Sequence, residues 1–246
     1  MQLFYDPQFD PAAGTLRLDE EEARHALRVM RLDTGDSICV TDGRGNLYTC
    51  RIIEADRRRS LLTVQPESVD HGAGVLPYRL TMAVAPTKNM DRIEWLVEKA
   101  VEMGIDRLTP LRCRCSERKE LKTERLGRIA VAAMKQSLKA TLPQIDAMTD
   151  IRDYLAEPAP DGTQRFIAHC VAEENRFFVS HAVKPSATVR VLIGPEGDFS
   201  DDEIRLALRA GFVPVSLGSA RLRTETASLA AVHTVHLVNE LAARGD

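Results

Sequence analysis

The alternation of apolar and polar positions divides the chain into two stretches of different period. From residue 36 onward the period is close to two: Asp36-Ser-Ile-Cys-Val-Thr-Asp42 alternates as a half-buried strand does. The turn Asp42-Gly43-Arg44-Gly45-Asn46 follows, and residues 47–53 and 60–65 supply two more strands. Residues 20–30 precede them as a helix. This pattern predicts a small β-rich module of barrel type over residues 1–72, closed by a linker at His71-Gly-Ala-Gly74 and Pro77.

Beyond the linker, short apolar runs are followed by helical periods, the signature of a parallel sheet covered by helices. Residues 73–246 are therefore read as one α/β domain. Strands are expected at 79–85, 107–111, 165–170, 189–193 and 212–217. One helix sets Ile93, Leu96, Val97, Ala100 and Val101 on one face and stops at Gly104. A second, at 124–137, buries Leu126, Ile129, Ala130, Ala133 and Met134, and a last one runs from about 226 to 242.

Composition changes this picture little. With 246 residues, 44% of them hydrophobic, the chain can bury a large core plus an accessory one, and it does not resemble a disordered chain. No apolar run approaches membrane-spanning length and residues 1–14 lack the pattern of a signal peptide, so a cytoplasmic protein with no membrane partner is expected. The five cysteines are scattered, which argues against disulfides and against a structural metal.

Charge matters more through its distribution than its sum. The formal net charge is -3, yet from Arg107 to Lys139 ten Lys/Arg face three acids, a local +7, leaving -10 for the rest. Such a run is either a solvated helix face or a surface for phosphates.

Two loops are built alike, each between a strand and a helix. The first is Gly194-Pro195-Glu196-Gly197, followed by Ser200-x-x-Glu203, a capping box. The second is Leu217-Gly218-Ser219-Ala220-Arg221-Leu222-Arg223-Thr224-Glu225-Thr226-Ala227. Ligands of open α/β sheets sit beyond the carboxyl ends of strands, where glycines allow close backbone approach. Neither the dinucleotide fingerprint nor the P-loop occurs, so a nucleoside cofactor would have to bind another way.

At these loops the sequence resembles the SPOUT class of methyltransferases and, within it, the ribosomal RNA small subunit methyltransferase E family. The resemblance extends to Lys88-Asn-Met-Asp-Arg-Ile-Glu-Trp-Leu-Val-Glu-Lys-Ala-Val-Glu-Met-Gly104 and to Met134-Lys-Gln-Ser137. The first 72 residues look like that family's PUA-like RNA-binding module through His25-Ala-Leu-Arg28-Val-Met-Arg31-Leu, Gly35-Asp36 and Asp42-Gly43. The resemblance implies a C-terminal domain tied in a trefoil knot, a homodimer, S-adenosylmethionine as cofactor, and methylation of uracil N3 in the 16S RNA of the small ribosomal subunit.

Carried over by position, the cofactor pocket is expected from His169, Ile193, Gly194, Pro195, Glu196, Gly197, Leu217, Gly218, Leu222, Arg223 and Thr226. RNA is expected on Arg28, Arg31, Arg112, Arg114, Lys119, Lys135 and Lys139. The chain departs from many members where Lys135 and Lys139 stand, and lysine keeps the charge without the planar fork of arginine. Because N3 attacks only after losing its proton, a guanidinium beside the exocyclic oxygens would help; Arg223 leads, Arg221 follows. Glu196 or Glu225 is the candidate base. The competing readings are a ribose 2′-O-methyltransferase of the same class and a non-catalytic RNA-binding ribosome assembly factor.

Overall fold

The computed structural model describes residues 2–170 and 177–245. It separates into two compact units, one of Met1–Val75 with Val131–Leu142 and the other of Leu76–Ala130 with Pro143–Asp246. A single cut near residue 72 thus misses that Val131–Leu142 packs with the first unit. Side-chain periodicity cannot show this, because the segment continues a helix that looks uniform in sequence.

In the first unit, β1 (Leu3–Tyr5), β2 (Leu16–Arg17), β3 (Ser37–Thr41), β4 (Asn46–Asp56) and β5 (Leu61–His71) form one curled, barrel-like sheet in the order β1–β3–β4–β5–β2. Strand β1 is the lead-in that sequence periodicity left unassigned; three residues are too few to show a period, yet Leu3 and Phe4 are buried and pair in parallel with β3. Helix α1 (Glu20–Arg24), capped by Asp19, runs on as one π-helical segment, His25–Val29, where one continuous α-helix was expected. Phe4, Leu27, Val40, Ile52, Leu62 and Val64 fill the core.

The hairpin turn between β3 and β4 is held by side chains. Gly43 and Gly45 have φ of 75° and 92°, and a Cβ on Gly43 would meet the Tyr5 ring at 2.9 Å. Asp42 accepts from the backbone N–H of Arg44 at 2.8 Å and from the Asn46 amide at 2.7 Å. Burial opposes ionisation of this carboxyl, but those hydrogen bonds and the Arg44 guanidinium outweigh it, and its pKa is lowered from 3.8. From Val131–Leu142, the carbonyl of Ala140 accepts from Thr41 Oγ1 and Gly45 N–H.

In the second unit the order of elements is β6 (Arg79–Val84), α2 (Met90–Met103), β7 (Arg107–Arg112), α3 (Thr123–Gln136, whose second half lies in the first unit), β8 (Gln144–Ile145), β9 (Thr149–Asp150) and α4 (Ile151–Ala156). There follow β10 (Gln164–Ala168), β11 (Phe177–Phe178), α5 (Val179–Ala182), β12 (Thr188–Ile193), α6 (Asp201–Arg209), β13 (Val213–Ser216) and α7 (Thr224–Arg244). The sheet is parallel, ordered β11–β13–β10–β12–β6–β7–β8, with β9 pairing the far end of β7. The two-residue strands and the short helices α4 and α5 escaped the sequence reading.

Why this sheet forms is plain from burial. Strand β12 is buried along nearly its whole length, as a central parallel strand covered on both faces must be. Ala83, Leu111, Ile167 and Leu192 join Tyr154 of α4 and Ile204 of α6 in one core, while α7 packs on α2, β6 and β12. All five residues assigned to the inner face of α2 are buried, and Gly104 ends that helix. In α3, Leu126 and Ala130 are buried and Ile129 is half-buried.

Candidate cofactor and substrate site

Strands β10, β12 and β13 are neighbours, so their carboxyl ends bring residues 168–170, 193–198 and 215–225 to one place. They surround a cavity of about 840 Å³, within the size range of a small-molecule or cofactor site. Every residue assigned to the cofactor pocket lines it except Thr226, which is exposed. At the start of α7 the wall is made by its neighbours Thr224, Glu225 and Ala227, because the helical turn carries Thr226 away from the cavity.

The first loop, 194–200, is stapled from several sides. Asp198, a non-glycine residue at φ 65°, accepts from the backbone N–H of Cys170 at 2.6 Å and of Phe199 at 2.8 Å. Glu196 is exposed and accepts from the N–H of Lys88 at 3.2 Å. The Lys88 segment is itself held by Arg118, which donates to the carbonyls of Thr87 at 3.2 Å and Lys88 at 2.5 Å. Gly194 and Gly197 are close-packed: a Cβ would stand 3.1 Å from the Phe199 ring at one and 3.2 Å from Cys115 at the other. The capping box of Ser200 and Glu203 forms in full.

The second loop, 217–223, is held far less. Ser216 Oγ accepts from Gly218 N–H at 3.2 Å, and residues 219–221 are exposed. Gly218 has φ 124° with open space where a side chain would start, so its backbone faces the cavity bare. A hydrogen bond ties the start of α7, just after the second loop, to the first loop: Thr224 Oγ1 donates to the carbonyl of Gly194 at 3.0 Å.

Three arginines line the wall: Arg92, Arg221 and Arg223. Arg223 is exposed at the start of α7. Arg92 was missed in sequence, since it lies on α2, far from both loops; Asp198 was missed because its partner Cys170 N–H is set by tertiary structure. The residues expected to meet RNA differ in their freedom. Arg28, Arg31, Arg114 and Lys119 are exposed, and Arg112 is paired with Asp150 at 3.4 Å. The Lys135 ammonium is bonded to Glu22 and lies 5.9 Å from the centre of the Phe4 ring, so it is engaged inside the first unit. Lys139 is half-buried, and burial lowers its pKa.

Residues 75–236 match the RNA methyltransferase domain model, and residues 18–65 match the RNA methyltransferase PUA domain. A ribosomal RNA small subunit methyltransferase E of Synechocystis is 30% identical over 236 residues, 92% of this chain and 74% of that protein. The chain belongs to the ribosomal RNA small subunit methyltransferase E family. The crystal structure of a probable rRNA methyltransferase from Porphyromonas gingivalis superposes with TM-score 0.89 at 41% identity, covering 98% of this chain and all of that one. A family member from Neisseria gonorrhoeae, solved with S-adenosyl methionine bound, gives TM-score 0.85 at 26% identity over 97% and 98%. The parallel-sheet unit thus corresponds to the RNA methyltransferase domain of this family and the barrel-like unit to its PUA domain.

Proposed function

We propose that this protein methylates N3 of a uridine in 16S ribosomal RNA of the small subunit, with S-adenosylmethionine as methyl donor. The observation that carries the reading is the pair of glycine-bearing loops around the cavity, in a chain of this family. The donor set fits the cofactor: Gly218 offers bare backbone with open space before it, and the apolar residues Ile193, Leu217 and Leu222 line the same cavity.

In this reading Ile193, Gly194, Pro195, Gly197, Leu217, Gly218 and Leu222 hold the cofactor, with Ala168 and His169 as a further wall. When bound, the cofactor supplies an electrophilic methyl group. The protein's share is to hold that group and N3 in line, which supplies much of the rate. Glu196 acts as a strut for the Lys88 segment, its exposed carboxylate being engaged by a backbone N–H. Because N3 lies on the pairing edge, the target base enters the cavity unpaired or flipped out.

The exposed basic residues Arg28, Arg31, Arg114 and Lys119, with Arg112 and Lys139, are assigned to the phosphates of the folded RNA. The enzyme acts in the cytoplasm as a homodimer: Trp95 of α2 and Leu237 and Leu241 of α7 are exposed apolar side chains on two helices that pack together, a face suited to a second copy. The C-terminal domain is read as a trefoil knot, in keeping with α7 returning from the second loop to pack on α2 and β6.

The test is direct. Incubated with S-adenosylmethionine and unmethylated small subunits, the protein should yield N3-methyluridine on digestion and mass spectrometry. A 2′-O-methylated nucleoside would put it with the ribose enzymes, and binding of RNA with no methylation would make it an assembly factor. Turnover should fall steeply between about 50 and 200 mM salt if phosphates are the contacts.

A further inference from the structure

The three cavity arginines are not equivalent. Arg221 and Arg223 are exposed, and among the described residues neither guanidinium has a hydrogen-bonding or ion-pair partner. Arg92, in the first turn of α2, stands 3.7 Å from Oε1 of Glu225, in the first turn of α7, and the two belong to the cavity wall. The Glu225 side chain is 8% exposed against 38% for Arg92, so the acid forms the anchored end of the pair and the base the end that reaches the open space.

Glu225 carries a second observation. Its Oε2 is buried without a hydrogen-bond partner. A buried carboxylate oxygen left so is costly, and a guanidinium presents two parallel N–H donors to a carboxylate. Arg92 and Glu225 thus form an ion pair in the cavity wall in which one carboxylate oxygen, Oε2, is left without a hydrogen bond.

We propose that Arg92, positioned by Glu225, is the guanidinium that stabilises the uracil anion during methylation, in place of Arg223. The proposal rests on the uracil-N3 reading above. The proton on N3 passes to water, the electron pair left on N3 forms the bond to the methyl carbon, and the pair of the broken carbon–sulfur bond stays on sulfur. Arg92 exchanges no proton; it donates hydrogen bonds to an exocyclic oxygen on which the negative charge collects. A charge held by a largely buried carboxylate does this with little reorganisation at the moment of reaction, a support that the exposed Arg221 and Arg223 lack among the described residues. Glu225 is a positioning residue here, its side chain being 8% exposed and its Oε2 buried.

Single-turnover rates on small subunits, calorimetric affinity for S-adenosylmethionine and the pH profile of turnover test this in the full-length protein. Arg92→Ala should lower turnover about 10²- to 10³-fold, with cofactor affinity within about twofold of wild type. Its rate should keep rising with pH beyond the wild-type plateau, because N3 ionises later without the guanidinium, and added guanidinium ion should restore part of it. Glu225→Gln should fall less, and the double variant should be no slower than Arg92→Ala, as for residues acting as a unit. Turnover of Arg92→Ala within about threefold of wild type, loss of cofactor binding instead of rate, or an unshifted pH profile without rescue would each overturn the proposal. A wild-type enzyme that makes a nucleoside other than N3-methyluridine would overturn the parent reading, and is recognised before any variant is made.

Discussion

The two loops around the cavity begin from the same plan, a strand end, glycines and a helix start, and arrive at different mechanical states. The first is fixed by Asp198, by Glu196 on the Lys88 segment and by close-packed glycines, so it is a formed template before any ligand arrives. The second leans on Ser216 and on the Thr224 bond, with residues 219–221 in solvent. A site made of one rigid and one yielding wall can admit a large cofactor and then fold down on it, which two rigid walls would prevent.

The largest effect should come from unfastening the rigid wall. Asp198→Gly keeps the positive φ accessible but removes two charge-assisted bonds to backbone N–H groups, worth about 3 kcal/mol together. Cofactor affinity by calorimetry should weaken roughly hundredfold; a change under threefold would mean the first loop is fixed by packing alone. Next comes Gly218→Ala, which forces a side chain into φ 124°. A cost of about 1–3 kcal/mol predicts roughly tenfold weaker binding with little change in melting temperature, since the loop is exposed. An equal loss of stability would show the second loop to be part of the core.

Thr224→Val cuts the bond from the start of α7 to the first loop, and about 1 kcal/mol translates into roughly fivefold weaker binding. Hydrogen exchange sharpens the same contrast: amides of 194–200 should exchange slowly with or without cofactor, while those of 217–223 should slow only when it is bound. The smallest effect belongs to Glu196→Gln, whose amide oxygen still accepts from Lys88; turnover should stay within about threefold, and a drop of a hundredfold or more would return Glu196 to the role of base.

How far this contrast could be read beforehand varies by residue. The strand into Gly194, the capping box at Ser200 and the buried face of α2 were legible because each obeys a local rule of spacing. The helix at 20–30 was legible as a helix but not in its π-helical turn, which depends on packing around His25–Val29. Asp198 was not legible, because its partner Cys170 N–H comes from the segment beyond β10, and neither was the ion pair of Lys135, whose partner Glu22 lies over a hundred residues earlier. Arg92 stood in a matched motif without a role, since only the fold brings α2 to the start of α7.

The packing of Val131–Leu142 with the first unit also has a bearing on how the protein is made. The Ala140 carbonyl that secures Thr41 and Gly45 is absent when the first 75 residues leave the ribosome. At roughly 5–20 residues per second, the N-terminal module waits several seconds for its last structural piece. A fragment ending at the linker is therefore expected to be an incomplete folding unit, whereas a fusion that returns residues 131–142 to it supplies the missing acceptor.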